Sequence, residues 1–292
     1  MIDFRASYCE FNSILSAVLV LTKPYPLLRD DGGNERMYCI SPLHGRSFVI
    51  CKSTCGRWIV SKGNGLSYST VPFLDTSKVN GDMWGALFKE NAIRDFEIGQ
   101  EIRALGVKTN YMEYVLELNR TFIMPMQQAE AVSYLLQYSV ECPYRISDFP
   151  FMPMEVLREE VKKWEKVNDR CFSQYYLIAA NVLIKNLRIM HDNNIMHNAI
   201  HVQNYTWALE LVDFEGARTN KLPYDNAEYE KYVPLLKEGE AIQTYEVLNY
   251  IAWCLKERID YLQIDCLFQD YGFDLSYYQA SVERNKLFTK NN

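Results

Sequence analysis

The residues best suited to chemistry lie in one segment, 191–218, in the second half of the chain. Asn204 precedes a short predicted hairpin, and Asp213 follows the apolar second arm at 209–212. An amide oxygen and a carboxylate on the two arms of a hairpin can face one pocket. Hard oxygen ligands of this kind suit a Mg²⁺ ion that carries the phosphates of a nucleotide. The segment therefore predicts a Mg²⁺ site at Asn204 and Asp213.

The same segment resembles the protein-kinase-like fold. His197-Asn-Ala-Ile-His-Val-Gln-Asn204 is similar to the catalytic loop His-Arg-Asp-x-x-x-x-Asn, and Asp213-Phe-Glu-Gly216 is similar to the metal-binding Asp-Phe-Gly with Glu215 inserted. The resemblance implies ATP and Mg²⁺ as cofactors and Asn204 and Asp213 as the metal ligands. Ala199 stands where the family has its catalytic Asp, so the resemblance does not extend to the proton acceptor of ordinary Ser/Thr phosphorylation.

Two polar neighbours, His201 and Gln203, are the candidates for the missing catalytic role. Histidine titrates near neutral pH and can move a proton, whereas glutamine can only orient a reacting group. A structural hydrogen bond is the alternative for His201 and the expectation for His197. The spacing of the two histidines also suggests zinc, but Asn198 stands where an HExxH motif has its Glu, so metalloprotease chemistry is not expected.

A second match lies in the first half of the chain, at Lys62-Gly-Asn-Gly65. Downstream, a helix-like segment at 94–105 leads to Gly-Val-Lys-Thr109. These motifs resemble the selenoprotein-O family of adenylyltransferases, which have a kinase fold. The resemblance implies that Lys62 holds the phosphates of the nucleotide.

The selenoprotein-O resemblance also implies a carboxylate that pairs with the ammonium group of Lys62. Asp95 takes the place of the family's Glu. Because Asp is one methylene shorter than Glu, Glu97 and Glu101 are the alternative partners.

Close approach of the backbone to a phosphate favours glycine, which is present as Gly63 and Gly65. A surface turn would also explain a lone Lys-Gly-x-Gly. The order of that motif, an acidic helix, and then Asn204 and Asp213 favours a nucleotide site.

Weaker matches leave the transferred group open. His201-Val-Gln-Asn204 and the Asp213 motif also resemble the siderophore synthetases that adenylate carboxylates, so AMP transfer is as consistent with the sequence as phosphoryl transfer. Arg145, in the loop Cys142-Pro-Tyr-Arg-Ile-Ser147, is expected to be an ordinary solvated arginine, with a phosphate contact as the alternative.

The elements that must position these residues change in type along the chain. Strand-like runs at 46–52 and 57–62 form a predicted hairpin, a helix is predicted over 91–105 with Gly106 as its stop, and extended segments follow at 111–118 and 121–124. Beyond about residue 126 the pattern is helical, at 127–138, 155–167, 173–191 and 244–260. We expect an α+β, bilobal protein-kinase-like fold, with a β-rich lobe carrying one helix at 1–125 and a mainly helical lobe at 126–292.

Composition excludes several classes of protein. The 292 residues are 48% hydrophobic, and 31 basic against 37 acidic residues give a net charge of −6, which offers no broad positive surface for nucleic acid. The apolar stretch 14–21 is too short for a membrane helix and lacks the basic flank of a secretion signal. Eight cysteines without a CxxC pair favour reduced thiols and a cytoplasmic location.

The leading hypothesis is an ATP/Mg²⁺-dependent transferase that moves a phosphoryl or adenylyl group to a protein, peptide or small-molecule acceptor. The alternative is a pseudokinase that serves as a nucleotide-binding or partner-binding scaffold, because Ala199 replaces the catalytic Asp. Neither a membrane nor a nucleic acid is an expected partner. The sequence does not identify the acceptor.

Overall fold

The computed structural model describes residues 6–11, 47–63, 87–123, 130–167, 174–219 and 226–273. The chain divides into two compact units. The first comprises Met1–Glu101 and Asn110–Tyr144, and the second comprises Ile102–Thr109 and Arg145–Asn292. The predicted α+β class is confirmed. The predicted boundary between residues 125 and 126 stays a prediction.

The first unit is built on a five-stranded sheet in which all neighbouring strands are antiparallel. In chain order its strands are β1 (Ala6–Phe11), β2 (Ser47–Lys52), β3 (Trp58–Lys62), β4 (Tyr111–Ile123) and β5 (Glu130–Val140). In space the order is β1-β4-β5-β3-β2. The predicted hairpin between β2 and β3 is confirmed: Ser53 N donates to Arg57 O at 2.7 Å, and Gly56 takes the left-handed conformation at φ 85°.

The prediction of a helix over 127–138 is wrong, because β5 occupies most of that segment. This strand pairs with β3 on one side and with β4 on the other. Residues 134–140 are all buried, so the strand does not alternate between apolar and polar positions. One of its cross-strand partners, β3, lies far away in sequence, whereas the other, β4, is the preceding strand.

Helix α1 (Lys89–Ala104) confirms the predicted helix and its stop. Ala92, Phe96 and Ile102 are buried along one face at helical spacing. At the carboxyl end, Val107 N donates to Ile102 O at 3.0 Å and Gly106 has φ 92°. A glycine in this conformation is a common way to end a helix.

The second unit is mainly helical. Its longer helices are α2 (Met154–Val167), α3 (Tyr175–Asp192), α4 (Asn226–Leu255) and α5 (Tyr261–Asp270). Helix α3 is the centre of the unit, because it packs against α2, α4 and α5 and two thirds of its residues are buried. Short 3-10 helices lie at Ile146–Phe151 and Val202–Asn204, and β6 (Ile195–Met196) pairs with β7 (Arg218–Thr219).

None of the helices in the described ranges combines the length and apolar content needed to cross a membrane. The apolar stretch 14–21 lies outside the described residues.

Candidate functional site

A buried ion pair joins the end of β3 to the middle of α1. Lys62 Nζ donates to Asp95 Oδ2 at 2.6 Å, and each side chain is only 1% exposed. Lys62 is the last residue of β3, which is hydrogen-bonded to β2 and to β5. The sheet therefore fixes the backbone from which this ammonium group projects.

The partner of Lys62 is fixed by the helical spacing of α1. Asp95 lies three residues after Ala92 and is buried on the same face as Phe96, whereas Glu97 is exposed and Glu101 is partly exposed. Although Asp is the shorter acid, its position on the buried face brings it to Lys62.

Glycine follows Lys62 because no side chain fits there. Gly63 has φ 96°, and a β-carbon at this position would lie 2.5 Å from Tyr134 O and 3.0 Å from Leu87 Cδ1. Any other residue would have to displace backbone atoms of β5. Gly65 lies outside the described residues.

In the second unit, His197 has a structural role at the start of the loop 197–204. Its Nε2 donates to Val212 O at 3.0 Å, and its ring contacts Phe214 edge-on at 5.1 Å between centroids. Burial lowers the pKa of His197, and nearby carboxylates only partly oppose this effect. A neutral imidazole that donates to a carbonyl group holds the loop against the following hairpin.

The backbone of the same loop is held from α4. Glu240 is buried, and its Oε1 accepts from Asn198 N at 2.6 Å while its Oε2 lies 2.8 Å from His191 Nε2. Asn198 has φ 65°, and its side chain donates to Gly216 O at 2.9 Å. The unusual turn at Asn198 is therefore held by contacts on two sides. The sequence gives no local signal for Glu240, which lies 42 residues from Asn198.

His201 caps the 3-10 helix Val202–Asn204. Its Nδ1 accepts from Gln203 N at 3.3 Å, which leaves the proton of the neutral ring on Nε2. Burial is the largest cause that lowers the pKa of His201; the Arg145 guanidinium lowers it further, and the Asp213 carboxylate opposes both. Neutral His201 in this tautomer offers a donor at Nε2 rather than a proton acceptor. The side chain of Gln203 is exposed.

The predicted hairpin between Asn204 and Asp213 is confirmed. Tyr205 pairs antiparallel with Leu211, and Val212 N donates to Asn204 O at 2.9 Å. Asn204 and Asp213 therefore lie on opposite arms at the same end of the hairpin.

The side chain of Asn204 is held at both of its polar atoms. Nδ2 donates to Ala199 O at 2.9 Å, and Oδ1 accepts from the Arg145 guanidinium at 3.3 Å. The same Arg145 nitrogen donates to Gln203 O at 2.7 Å. The expectation that Arg145 is a solvated arginine is wrong, because the residue is 8% exposed and its backbone pairs with Thr206.

The expected metal ligands, Asn204 and Asp213, stay predictions, and their surroundings differ. The Asp213 carboxylate is partly exposed, and its left-handed backbone, φ 74°, turns the chain sharply after the hairpin; a carboxylate in this setting fits a hard cation. The Asn204 amide oxygen fits one less well, because the Arg145 guanidinium already contacts it at 3.3 Å. In the part of the chain that the structure describes, no three His, Cys, Asp or Glu side chains form a metal-binding cluster.

Neither a family model nor a curated protein sequence matches the chain. Solved structures do match. One is a Toxoplasma gondii specific rhoptry antigen kinase domain, with 10% identity and a TM-score of 0.37, over 77% of this chain and 71% of that one. Another is a ROP18 kinase domain in complex with AMP-PNP and sucrose, with 12% identity and a TM-score of 0.34, over 84% of this chain and 78% of that one.

Both TM-scores are below 0.5. The kinase-like fold that the sequence resemblance implied is the fold class of the solved structures that this chain matches.

Proposed function

We propose that this protein binds a nucleoside triphosphate and acts as a pseudokinase, a kinase-like protein that does not phosphorylate a hydroxyl group. The observation that carries nucleotide binding is the buried 2.6 Å ion pair between Lys62 and Asp95. Protein kinases hold nucleotide phosphates with a lysine of the third strand that pairs with an acid of the following helix. Lys62 on β3 and Asp95 on α1 have the same order and the same pairing.

The burial of this pair favours a functional role over a purely structural one. Removing two charges from water is costly, and apolar residues of similar size often stabilise a core equally well. The positive charge of Lys62 is thus a poor choice for packing alone. A phosphate ligand would give that charge a use.

In the second unit we propose Asp213 as the ligand of a Mg²⁺ ion that accompanies the nucleotide. Such an ion would neutralise phosphate charge. The hairpin bond from Val212 N to Asn204 O fixes the backbone next to Asp213.

The pseudokinase assignment is supported by the state of the possible bases. Ala199 has no proton acceptor, and the Nε2 of His197 is committed to a carbonyl group. The Nδ1 of His201 accepts a backbone hydrogen bond, so its outer nitrogen carries a proton. Gln203 cannot take up a proton.

Nucleotide binding can be tested with ATP and a fluorescent ATP analogue, using Lys62→Met and a matched control. Lys52→Met removes an exposed lysine from the end of the neighbouring strand β2 and should leave the affinity within about twofold. Lys62→Met should weaken binding at least about tenfold, the effect of losing about 1.4 kcal/mol. If millimolar ATP changes neither the Tm nor the fluorescence of the wild-type protein, nucleotide binding is excluded.

A transferase is the second candidate, favoured by the exposed side chain of Gln203 beside Asn204. Gln203 could orient an acceptor, whether a protein, a peptide or a small molecule, and phosphoryl transfer depends mainly on positioning and charge neutralisation. Incubation with α-labelled and γ-labelled ATP separates the cases. Label from the α position indicates AMP transfer, label from the γ position alone indicates phosphoryl transfer, and no label supports the pseudokinase.

A further inference from the structure

A fixed positive charge contacts the amide that the kinase resemblance assigns to a metal ion. Arg145 lies 59 residues before Asn204, yet its guanidinium donates to Asn204 Oδ1 at 3.3 Å and to Gln203 O at 2.7 Å. The side chain is 8% exposed, so this is a buried contact. Arginine remains protonated at every pH at which proteins are folded, so the charge is permanent.

The orientation of the Asn204 amide is set from both ends. Its NH₂ group donates to Ala199 O at 2.9 Å, and its oxygen faces the guanidinium donor. The reverse orientation would place two donors against each other at Arg145 and two oxygens against each other at Ala199. The oxygen that a metal would need is therefore the atom that faces Arg145.

Arg145 is itself held in place by neighbouring residues of the second unit. Its backbone N donates to Asp148 Oδ2 at 2.8 Å, and Ile146 N donates to Tyr205 O at 2.8 Å. These bonds tie the segment to the residue that follows Asn204. Moving the guanidinium away to admit a metal would break the bonds to Gln203 and Asn204.

A divalent cation on the same oxygen would experience strong repulsion. Magnesium binds oxygen ligands at about 2.1 Å, so an ion on Asn204 Oδ1 would lie within a few ångströms of the guanidinium. Like charges at that distance repel strongly where water is largely excluded.

We propose that the Arg145 guanidinium replaces the divalent cation at Asn204, so that the nucleotide complex takes at most one divalent cation, at Asp213. The inference rests on the proposed nucleotide binding and adds its cation requirement. Arg145 is then a residue that determines cation stoichiometry and makes nucleotide binding less dependent on divalent ions.

The test counts Mn²⁺ ions by electron paramagnetic resonance in the complex of the full chain with a non-hydrolysable ATP analogue. We expect at most one Mn²⁺ per bound nucleotide in the wild-type protein and two in Arg145→Gln, in which the amide oxygen of Asn204 is released. The ratio of the nucleotide Kd in EDTA to that in Mg²⁺ should be at least about tenfold larger in Arg145→Gln than in the wild type.

Two controls separate charge from folding. Arg145→Lys keeps the positive charge and should still take at most one Mn²⁺. Arg188→Gln removes a partly exposed arginine of the same unit, paired with Asp192 on α3, and should match the wild type in both measurements. If Arg145→Gln does not fold, two Mn²⁺ ions per nucleotide in the wild-type protein would still overturn the proposal.

The possible outcomes are distinct. Two Mn²⁺ ions per nucleotide in the wild type, or only one in folded Arg145→Gln, would overturn the role of Arg145 and leave nucleotide binding intact. If the wild type binds no nucleotide with either Mg²⁺ or EDTA, both the inference and the proposed function are wrong.

Discussion

Among the residues that the structure describes, Lys62 and Arg145 are buried, and their contacts differ in kind. Lys62 contacts the carboxylate of Asp95, whereas Arg145 contacts the neutral oxygens of Gln203 and Asn204. An ammonium group opposite a carboxylate is locally balanced. The Arg145 guanidinium donates hydrogen bonds to an amide oxygen and a backbone carbonyl. The two buried cationic side chains thus meet different kinds of acceptor.

Removing one member of the Lys62–Asp95 pair should lower the free energy of unfolding strongly. Replacing both members by apolar residues should lower it much less. Lys62→Met leaves Asp95 buried without its cation, and we expect a loss of about 3–5 kcal/mol in the free energy of unfolding. The double variant Lys62→Met/Asp95→Leu should recover most of that loss, because it removes both desolvation costs. Urea denaturation of the wild type, both single variants and the double variant measures the coupling. A double variant as unstable as the sum of the two single variants would contradict this account.

His201 should make the protein less stable at acidic pH. Its pKa is lowered in the folded state, chiefly by burial, so the unfolded chain binds a proton first as the pH falls below about 6.5. The contribution of neutral His201 to the free energy of unfolding is therefore fully present above this pH. It is lost as the pH falls towards the lower pKa of the folded state. His201→Gln should show a smaller decrease in Tm between pH 7.5 and pH 5 than the wild type. Equal decreases in the two proteins would show that His201 does not contribute.

At the scale of elements, the loop 197–204 takes its conformation from neighbours on both sides. Glu240 of α4 fixes its backbone at Asn198, and the hairpin fixes it at His197 through the carbonyl of Val212. The 3-10 helix Val202–Asn204 is too short to be stable alone, so these contacts hold it. Substitutions in α4 can therefore alter the candidate site without touching it.

The end of α4 offers a test of backbone strain. Lys256 follows the helix with φ 55°, and Glu257 N donates to Ala252 O at 2.9 Å, an arrangement in which glycine is preferred. Lys256 is exposed, so its side chain adds little packing. Lys256→Gly should stabilise the protein by about 1 kcal/mol, because glycine adopts this conformation without steric cost. We expect a rise of about 2–4 °C in Tm for a domain of this size.

Lys256→Ala is the matched control for this variant. It removes the same long side chain but keeps the β-carbon, so its Tm should stay near that of the wild type. A gain as large in Lys256→Ala as in Lys256→Gly would show that the side chain, not the backbone, is responsible.

At the scale of the whole molecule, the two units contribute different chemistry. The first unit supplies the Lys62–Asp95 pair, and the second supplies Arg145, Asn204 and Asp213. Lys62, Arg145 and Asn204 are each fixed within their own unit by hydrogen bonds. The net charge of −6 gives no long-range attraction to phosphate polymers.

We therefore expect no measurable binding to nucleic acid. A labelled 20-base-pair DNA at 150 mM salt should show no change in fluorescence anisotropy up to about 100 µM protein, a concentration at which ordinary non-specific DNA-binding proteins are at least half saturated. ATP binding under the same conditions is the positive control. Saturable DNA binding would show that local positive charge outweighs the net charge.

The sequence by itself determined the features that depend on neighbouring residues. The hairpin between β2 and β3 follows from its turn residues, and α1 with its stop at Gly106 follows from apolar spacing and a glycine. The hairpin between Asn204 and Asp213 was also predictable, because its arms are adjacent in the chain. In each case the hydrogen bonds that stabilise the element join residues close in sequence.

Only the tertiary structure decided the features that depend on distant partners. The distant strand β3 pairs with one edge of β5, and Asp95 rather than a longer acid contacts Lys62 because it lies on the buried face of α1. Arg145 meets Asn204 across 59 residues, and no local pattern records that contact. The charge of a side chain follows from its residue type, but the group that it contacts is determined only when packing brings distant segments together.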